Sequence, residues 1–496
     1  MSIKPEIKKI ETVKSFNFTA KNAVECRVNV KEDETAYEIY TNGRVILNFI
    51  ECEKNQVRYG GKVIFTTILG GENIKSVEAG VEFSYKTDLE GVDSGDFVRA
   101  STWVENVKLS VVNGIPTVSC AVVISGKVEK VIECDYVRSL DNLICKKAET
   151  TTSALIYKED KTFTVEEEFD VSMVVEEVLS HTERVKVQGV LCGIGAVSIS
   201  GEIELGVIAL GSDKTPYSFT QVIPFRLEHE IQKAMPDLIA ISNVNLKDSN
   251  LKIVVDKNKD KSAVFLRADL SLTSKLYENR PTAYLVDAYS LSKEIAFEKT
   301  SNEIFKTDGQ KCIDGSVKDY NVAKSQENSR LIAPLFVKIE QTDVKVVDSA
   351  VEISLVLETD MLMQGDNGYF IQTSIIPYTL KGDSDFSNIE VLSSTAYNLT
   401  AVDKGSLISL SLDLSVCVQQ FIKSVQSFIV SVEEGEDKKV NDSAISVYFP
   451  SRGDTLWEVS KTLGVSEEDI LKVNPDLDFP LSGDERIVVY REIKND

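Results

Sequence analysis

From residue 17 to residue 432 the chain alternates apolar and polar residues with a period of two, and a helical period is hard to find. Val63-Ile64-Phe65-Thr66-Thr67-Ile68-Leu69, Gly201-Glu202-Ile203-Glu204-Leu205-Gly206-Val207, Ala268-Asp269-Leu270-Ser271-Leu272 and Leu407-Ile408-Ser409-Leu410-Ser411-Leu412 all carry it. Successive side chains of a strand point to opposite faces, so this pattern requires sheets with one buried and one wet face.

These strands recur as a set. An apolar-x-aromatic step occurs three times, in Val81-Glu82-Phe83, Ile223-Pro224-Phe225 and Ile376-Pro377-Tyr378; the first interval is 142 residues and the second 153. Each step precedes an Asn that opens a further alternating strand (Asn106, Asn243, Asn398) and then a long strand, around 118–128, 263–276 and 407–418. An interval of this size is a domain and not a solenoid turn. The expected fold is therefore mainly β: three tandem antiparallel β-sandwich-like repeats over residues 1–150, 151–300 and 301–432. Glu278-Asn279-Arg280-Pro281 interrupts the pattern after the second repeat. Residues 433–439 contain no apolar side chain and open a polar linker, 433–443, as expected of a solvated tether.

Charge restricts the partners. With 78 acidic against 55 basic residues the chain carries a formal charge of -23, which repels nucleic acid and anionic lipid. The densest basic stretch, Asp256 to Lys261, alternates with acids and reads as a solvated hairpin tip.

Residues 444–496 read differently, as strand, helix, helix, strand (βααβ). Thr455 with Glu458, and Ser466 with Asp469, each place a hydroxyl at a helix N-cap and a carboxylate three residues on. Gly464 closes the first helix and Asn474-Pro475-Asp476 stops the second. Trp457 is expected to plug the small core of this α+β unit, with direct ligand contact as the alternative.

The run G-D-T-L-W-E-V-S-K-T-L-G-V-S-E-E-D-I-L-K-V-N-P, residues 453–475, resembles the LysM family over most of that family's pattern. The resemblance implies a ligand groove between two loops: Gly453, Asp454, Thr455 and Leu456 on one side, Asn474, Pro475, Asp476 and Leu477 on the other. Taken with the three β-rich repeats and Val286-Asp287-Ala288-Tyr289-Ser290 after the second, the whole chain is similar to the SPOCS-repeat, LysM-containing spore coat morphogenetic proteins of spore-forming Firmicutes. That similarity implies a non-enzymatic adaptor on the mother-cell side of the developing spore. Its LysM module would bind a protein partner, a SpoIVA-like coat-basement ATPase, and its repeats would recruit or brace other coat proteins. The alternative is a peptidoglycan or N-acetylglucosamine-binding protein of the cortex or wall. A glycan-binding module facing the cytosol meets no peptidoglycan, which favours the protein ligand.

A cytoplasmic location is the expectation, because no apolar h-region follows Met1 to Lys9 and no apolar run approaches the roughly 18 to 20 residues that span a bilayer. The eight cysteines (Cys26, Cys52, Cys120, Cys134, Cys145, Cys192, Cys312, Cys417) show no C-x-x-C spacing and are expected as buried free thiols; no metal site and no cofactor is expected. His181 and His229 lie beside acids and are expected as polar surface residues. No G-x-S-x-G, H-E-x-x-H or P-loop pattern occurs, so the chain is not expected to be an enzyme. The uncharged stretch Ile408 to Leu412 would drive self-association at a sheet edge; its length and apolarity favour a central strand instead.

Overall fold

The structure, a computed structural model of the chain, describes all residues except 1–3, 30–36, 72–73, 113–114, 257–260, 348–349, 384–387, 439–444 and 491–496. The protein is mainly β. Among the described residues, eighteen strands come in three sets of six. The first set is β1 (Pro5–Arg27), β2 (Tyr37–Glu53), β3 (Gln56–Gly70), β4 (Lys75–Asp88), β5 (Phe97–Val112) and β6 (Ile115–Leu140). The second is β7 (Ile144–Val171), β8 (Glu177–Cys192), β9 (Ala196–Leu210), β10 (Pro216–Glu230), β11 (Ile239–Asp256) and β12 (Lys261–Tyr289). The third is β13 (Lys293–Ala323), β14 (Arg330–Val347), β15 (Ala350–Gly365), β16 (Gly368–Asp383), β17 (Asn388–Asp403) and β18 (Leu407–Asp437). A terminal module follows: β19 (Ile445–Tyr448), α1 (Leu456–Leu463), α2 (Glu467–Val473) and β20 (Ile487–Tyr490).

Each set makes two three-stranded antiparallel sheets in the same order: β1-β6-β5 with β2-β3-β4, β7-β12-β11 with β8-β9-β10, and β13-β18-β17 with β14-β15-β16. The two sheets of a unit face each other. Val57, Val63 and Phe65 of β3 share a core with Val122, Ile124 and Val128 of β6. Ile199, Ile203 and Leu205 of β9 do so with Leu266, Leu270 and Leu272 of β12, and Ile353 and Leu357 of β15 with Leu410 and Leu414 of β18. These are the middle strands, so their period-two apolar sets are the ones removed from water, at about 1.5–3 kcal/mol for each fully buried side chain.

The three units close into a ring, with β4 packed on β8, β10 on β14 and β16 on β2. Ile39, Ile68, Leu179, Ile208, Leu335 and Leu362, two from each unit, meet in one apolar core. A second layer joins the far ends of the long strands: the Phe428 ring lies 5.8 Å from Tyr136 and 5.0 Å from Tyr284, beside Val137, Leu285 and Ile429. This explains why β6, β12 and β18 outrun the expected lengths. Their first halves serve their own unit and their second halves the joint between units. A buried ionic knot completes the joint: Lys275 of β12 binds Glu129 of β6, while Arg99 of β5 and Lys127 of β6 bind Glu390 of β17.

Several expectations need correction. The boundaries at 150 and 300 fall inside β7 and β13, and Glu278 to Pro281 lie inside β12, paired with β7 from Thr151 to Ala154. Residues 433–437 are not tether but the end of β18, where Lys293 of β13 sits 2.7 Å from Glu434. The rest of the linker falls at 438–443, of which 439–443 lie outside the described residues, as does the basic tip at 257–260. Cys312 and Cys417, opposite each other on β13 and β18, are joined in a disulfide, so not all eight cysteines are thiols. His229 is fully buried, its Nε2 2.7 Å from Glu159 and its ring edge-on to Phe163, and is no surface residue. The stretch 408–412 has β13 on one side and β17 on the other, so it offers no free edge.

Asn106 and Asn398 do not open strands; they sit within β5 and β17 at breaks in register, with φ of 55° and 53°. Asn tolerates this left-handed backbone better than any β-branched residue, and the bulge re-aims the strand. Asn243, by contrast, lies in regular pairing opposite Thr273. Asn106→Val is expected to lower stability by about 1–3 kcal/mol in urea denaturation, whereas Asn106→Gly stays near the parent.

Candidate functional site

The terminal module builds its helices as its caps dictate. The Glu458 amide donates to Thr455 Oγ1 at 3.3 Å while the Thr455 amide donates to Glu458 Oε2 at 2.8 Å, a reciprocal box. Ser466 Oγ accepts from the Asp469 amide at 3.1 Å, and Gly464, at φ 63°, ends α1. Val459, Ile470, Leu481, Ile487 and Val489 form the module's core, flanked by Leu456, Leu463 and Leu477.

Of the eight expected groove positions, Gly453, Thr455, Pro475 and Asp476 are exposed, and Asp454, Leu456, Asn474 and Leu477 half-buried. The first loop is tied to Leu481, whose amide donates to Asp454 O at 3.0 Å and whose carbonyl accepts from the Gly453 amide at 2.8 Å. Three of the polar side chains are committed within the module. Asp454 Oδ2 accepts from the Ser451 amide, Thr455 caps α1, and Asn474 pins α2 to β20 by donating to Ile470 O and Val488 O while accepting from the Val488 amide. What remains open to a ligand is the apolar edge of Leu456, Pro475 and Leu477 and the Asp476 carboxylate.

Trp457 is buried, but its neighbours belong to β7 and β12 of the β body and not to the module's core. Its Nε1 donates to Asp287 Oδ2 at 2.9 Å, and its ring stands edge-on to Tyr289 at 5.1 Å between centroids. Lys461, one helical turn on and so on the same face, donates to both Asp287 oxygens at 2.7 and 2.8 Å. The Tyr289 hydroxyl donates to Val465 O at 2.9 Å. Burial pushes the Asp287 carboxyl up, but the bonds from Lys461 and Trp457 outweigh it and hold the group below its ordinary value. The segment Asp287-Ala288-Tyr289 thus holds the module against the β body. Sequence reasoning singled out this segment without linking it to Trp457; the i, i+4 spacing of Trp457 and Lys461 was the available signal that both face one acidic partner.

No helix among the described residues is long and apolar enough to cross a membrane. Comparison with protein-family models, curated proteins and solved structures finds no match to this chain.

Proposed function

We propose that this chain is a non-enzymatic adaptor of the spore coat type, in which a LysM-like module presents one ligand groove and three SPOCS-like β repeats form the body that recruits or braces other coat proteins. The observation that carries this reading is the split use of the terminal module. One face, through Trp457 and Lys461, is spent on the β body, while Gly453, Thr455, Pro475 and Asp476 stay exposed. A groove held in fixed orientation on a large rigid body suits a linker between two layers better than it suits turnover of a substrate. With the polar side chains of the groove largely committed, recognition rests on shape and apolar contact, as in the buried centre of protein–protein interfaces.

The test is binding of the full chain to a purified coat-basement ATPase by calorimetry. Pro475→Ala is expected to weaken it by about 2 kcal/mol, roughly thirty-fold in Kd, if Pro475 sits at the centre of the contact. Sedimentation of the full chain with purified peptidoglycan, lost in Pro475→Ala, together with no ATPase binding, would replace this reading with the glycan one.

A further inference from the structure

Where the three units meet, the ring encloses an open cavity of about 1000 Å³. Its walls differ in charge balance. Toward the second unit the charges are matched: Arg44 faces Glu183 at 3.6 Å, and Arg184 donates to Glu204 at 2.8 Å. On the third-unit wall Glu340, Glu358 and Asp360 share one ammonium, Lys338, which sits 2.5 Å from Glu340.

Asp360 is only 4% exposed, and its hydrogen bonds come from neutral hydroxyls, Tyr40 at 3.0 Å and Thr373 at 2.6 Å. Neither Glu358 nor Asp360 makes an ion pair among the described residues. The two lie two apart on β15, so their carboxyls face one side. Burial first, then Asp360, raises the Glu358 carboxyl, and burial raises that of Asp360. This is the signature of carboxylates lacking a cation. Beside them, the Tyr40 and Phe336 rings lie 5.4 Å apart, and Trp103 lines the same space. Aromatic faces next to carboxylates favour an organic cation over a bare ion. No group of three His, Cys, Asp or Glu among the described residues is placed to hold a metal. The volume matches a small organic molecule and far exceeds what an ion requires.

We propose that this cavity binds an elongated organic polycation of the polyamine class, with an ammonium group on Glu358 and Asp360 and its methylene chain along Tyr40, Phe336 and Trp103. Calorimetric titration of the full chain with spermidine at constant ionic strength should give saturable one-site binding, accompanied by a change in tryptophan emission. The chain has two tryptophans, and only Trp103 lines the cavity. Glu358→Gln, at a half-buried position, should weaken binding several-fold, and the Glu358→Gln, Asp360→Asn pair at least ten-fold. If the double variant fails to fold, the single one decides. Absence of saturable heat, unchanged affinity in Glu358→Gln, or displacement of spermidine by equimolar magnesium would overturn the proposal. Binding of a tri-lysine peptide without binding of spermidine would overturn it in favour of side chains from a protein.

Discussion

Trp457→Ala is expected to release the terminal module from the β body while leaving the module folded. The substitution removes the edge-on contact with Tyr289 and the hydrogen bond to the Asp287 carboxylate, but touches nothing in the Val459, Ile470, Leu481, Ile487, Val489 core. Truncating a buried aromatic costs about 3–5 kcal/mol, and here that loss falls on docking. In methyl NMR of the full chain, Val459, Ile470, Ile487 and Val489 should keep dispersed shifts while their relaxation changes to that of a small body tumbling on its own. Collapse of those shifts would mean that Trp457 holds the module's core after all. Asp287→Asn should loosen the same joint more mildly, since it keeps the shape and removes the charge that Lys461 meets. Because the docked Asp287 carboxyl lies below its ordinary value, docking is at full strength above that ordinary value and weakens as pH falls through the folded one.

Glu129→Gln is expected to destabilise the joint between units by about 3–5 kcal/mol, since it leaves Lys275 buried without its counter-charge. Lys275 is 7% exposed in its side chain and Glu129 16%. Burial alone would raise the Glu129 carboxyl, but Lys275 and then Lys127 override it and hold it at about 2. The folded value lies below the ordinary one of 4.5, so the stabilisation is complete above roughly pH 4.5 and is lost as pH falls toward 2. Thermal denaturation should show this acid slope in the parent and a shallower one in Glu129→Gln. An unchanged slope would assign the acid sensitivity to other carboxylates. Replacing the pair together, as Glu129→Gln with Lys275→Met, should recover part of the loss, because the most deeply buried cation of the knot is then removed with its partner while Arg99 and Lys127 keep Glu390.

The class of fold was legible because its signal is local. Period two in Val63 to Leu69 or Leu407 to Leu414 follows from the geometry of a single strand, and the caps at Thr455, Ser466 and Gly464 follow from backbone groups within one turn. Both survive whatever the rest of the chain does. The loops at 453–456 and 474–477 could be placed at the helix ends for the same reason, while their use as a groove was implied only by the LysM resemblance; the sequence did not reveal that Asp454, Thr455 and Asn474 would spend their side chains inside the module.

Ring closure was decided only in three dimensions. It depends on Tyr136, Tyr284 and Phe428 converging from strands more than a hundred residues apart, and on Lys275 finding Glu129 across two units. No local rule couples such positions. The charged run 433–437 becomes strand because β13 lies alongside to accept its backbone hydrogen bonds and Lys293 to meet Glu434. Trp457 looked like the plug of a small core because size alone was visible; its place at a joint was set by Asp287 and Tyr289, about 170 residues earlier, which turn the same buried aromatic from a core residue into a dock.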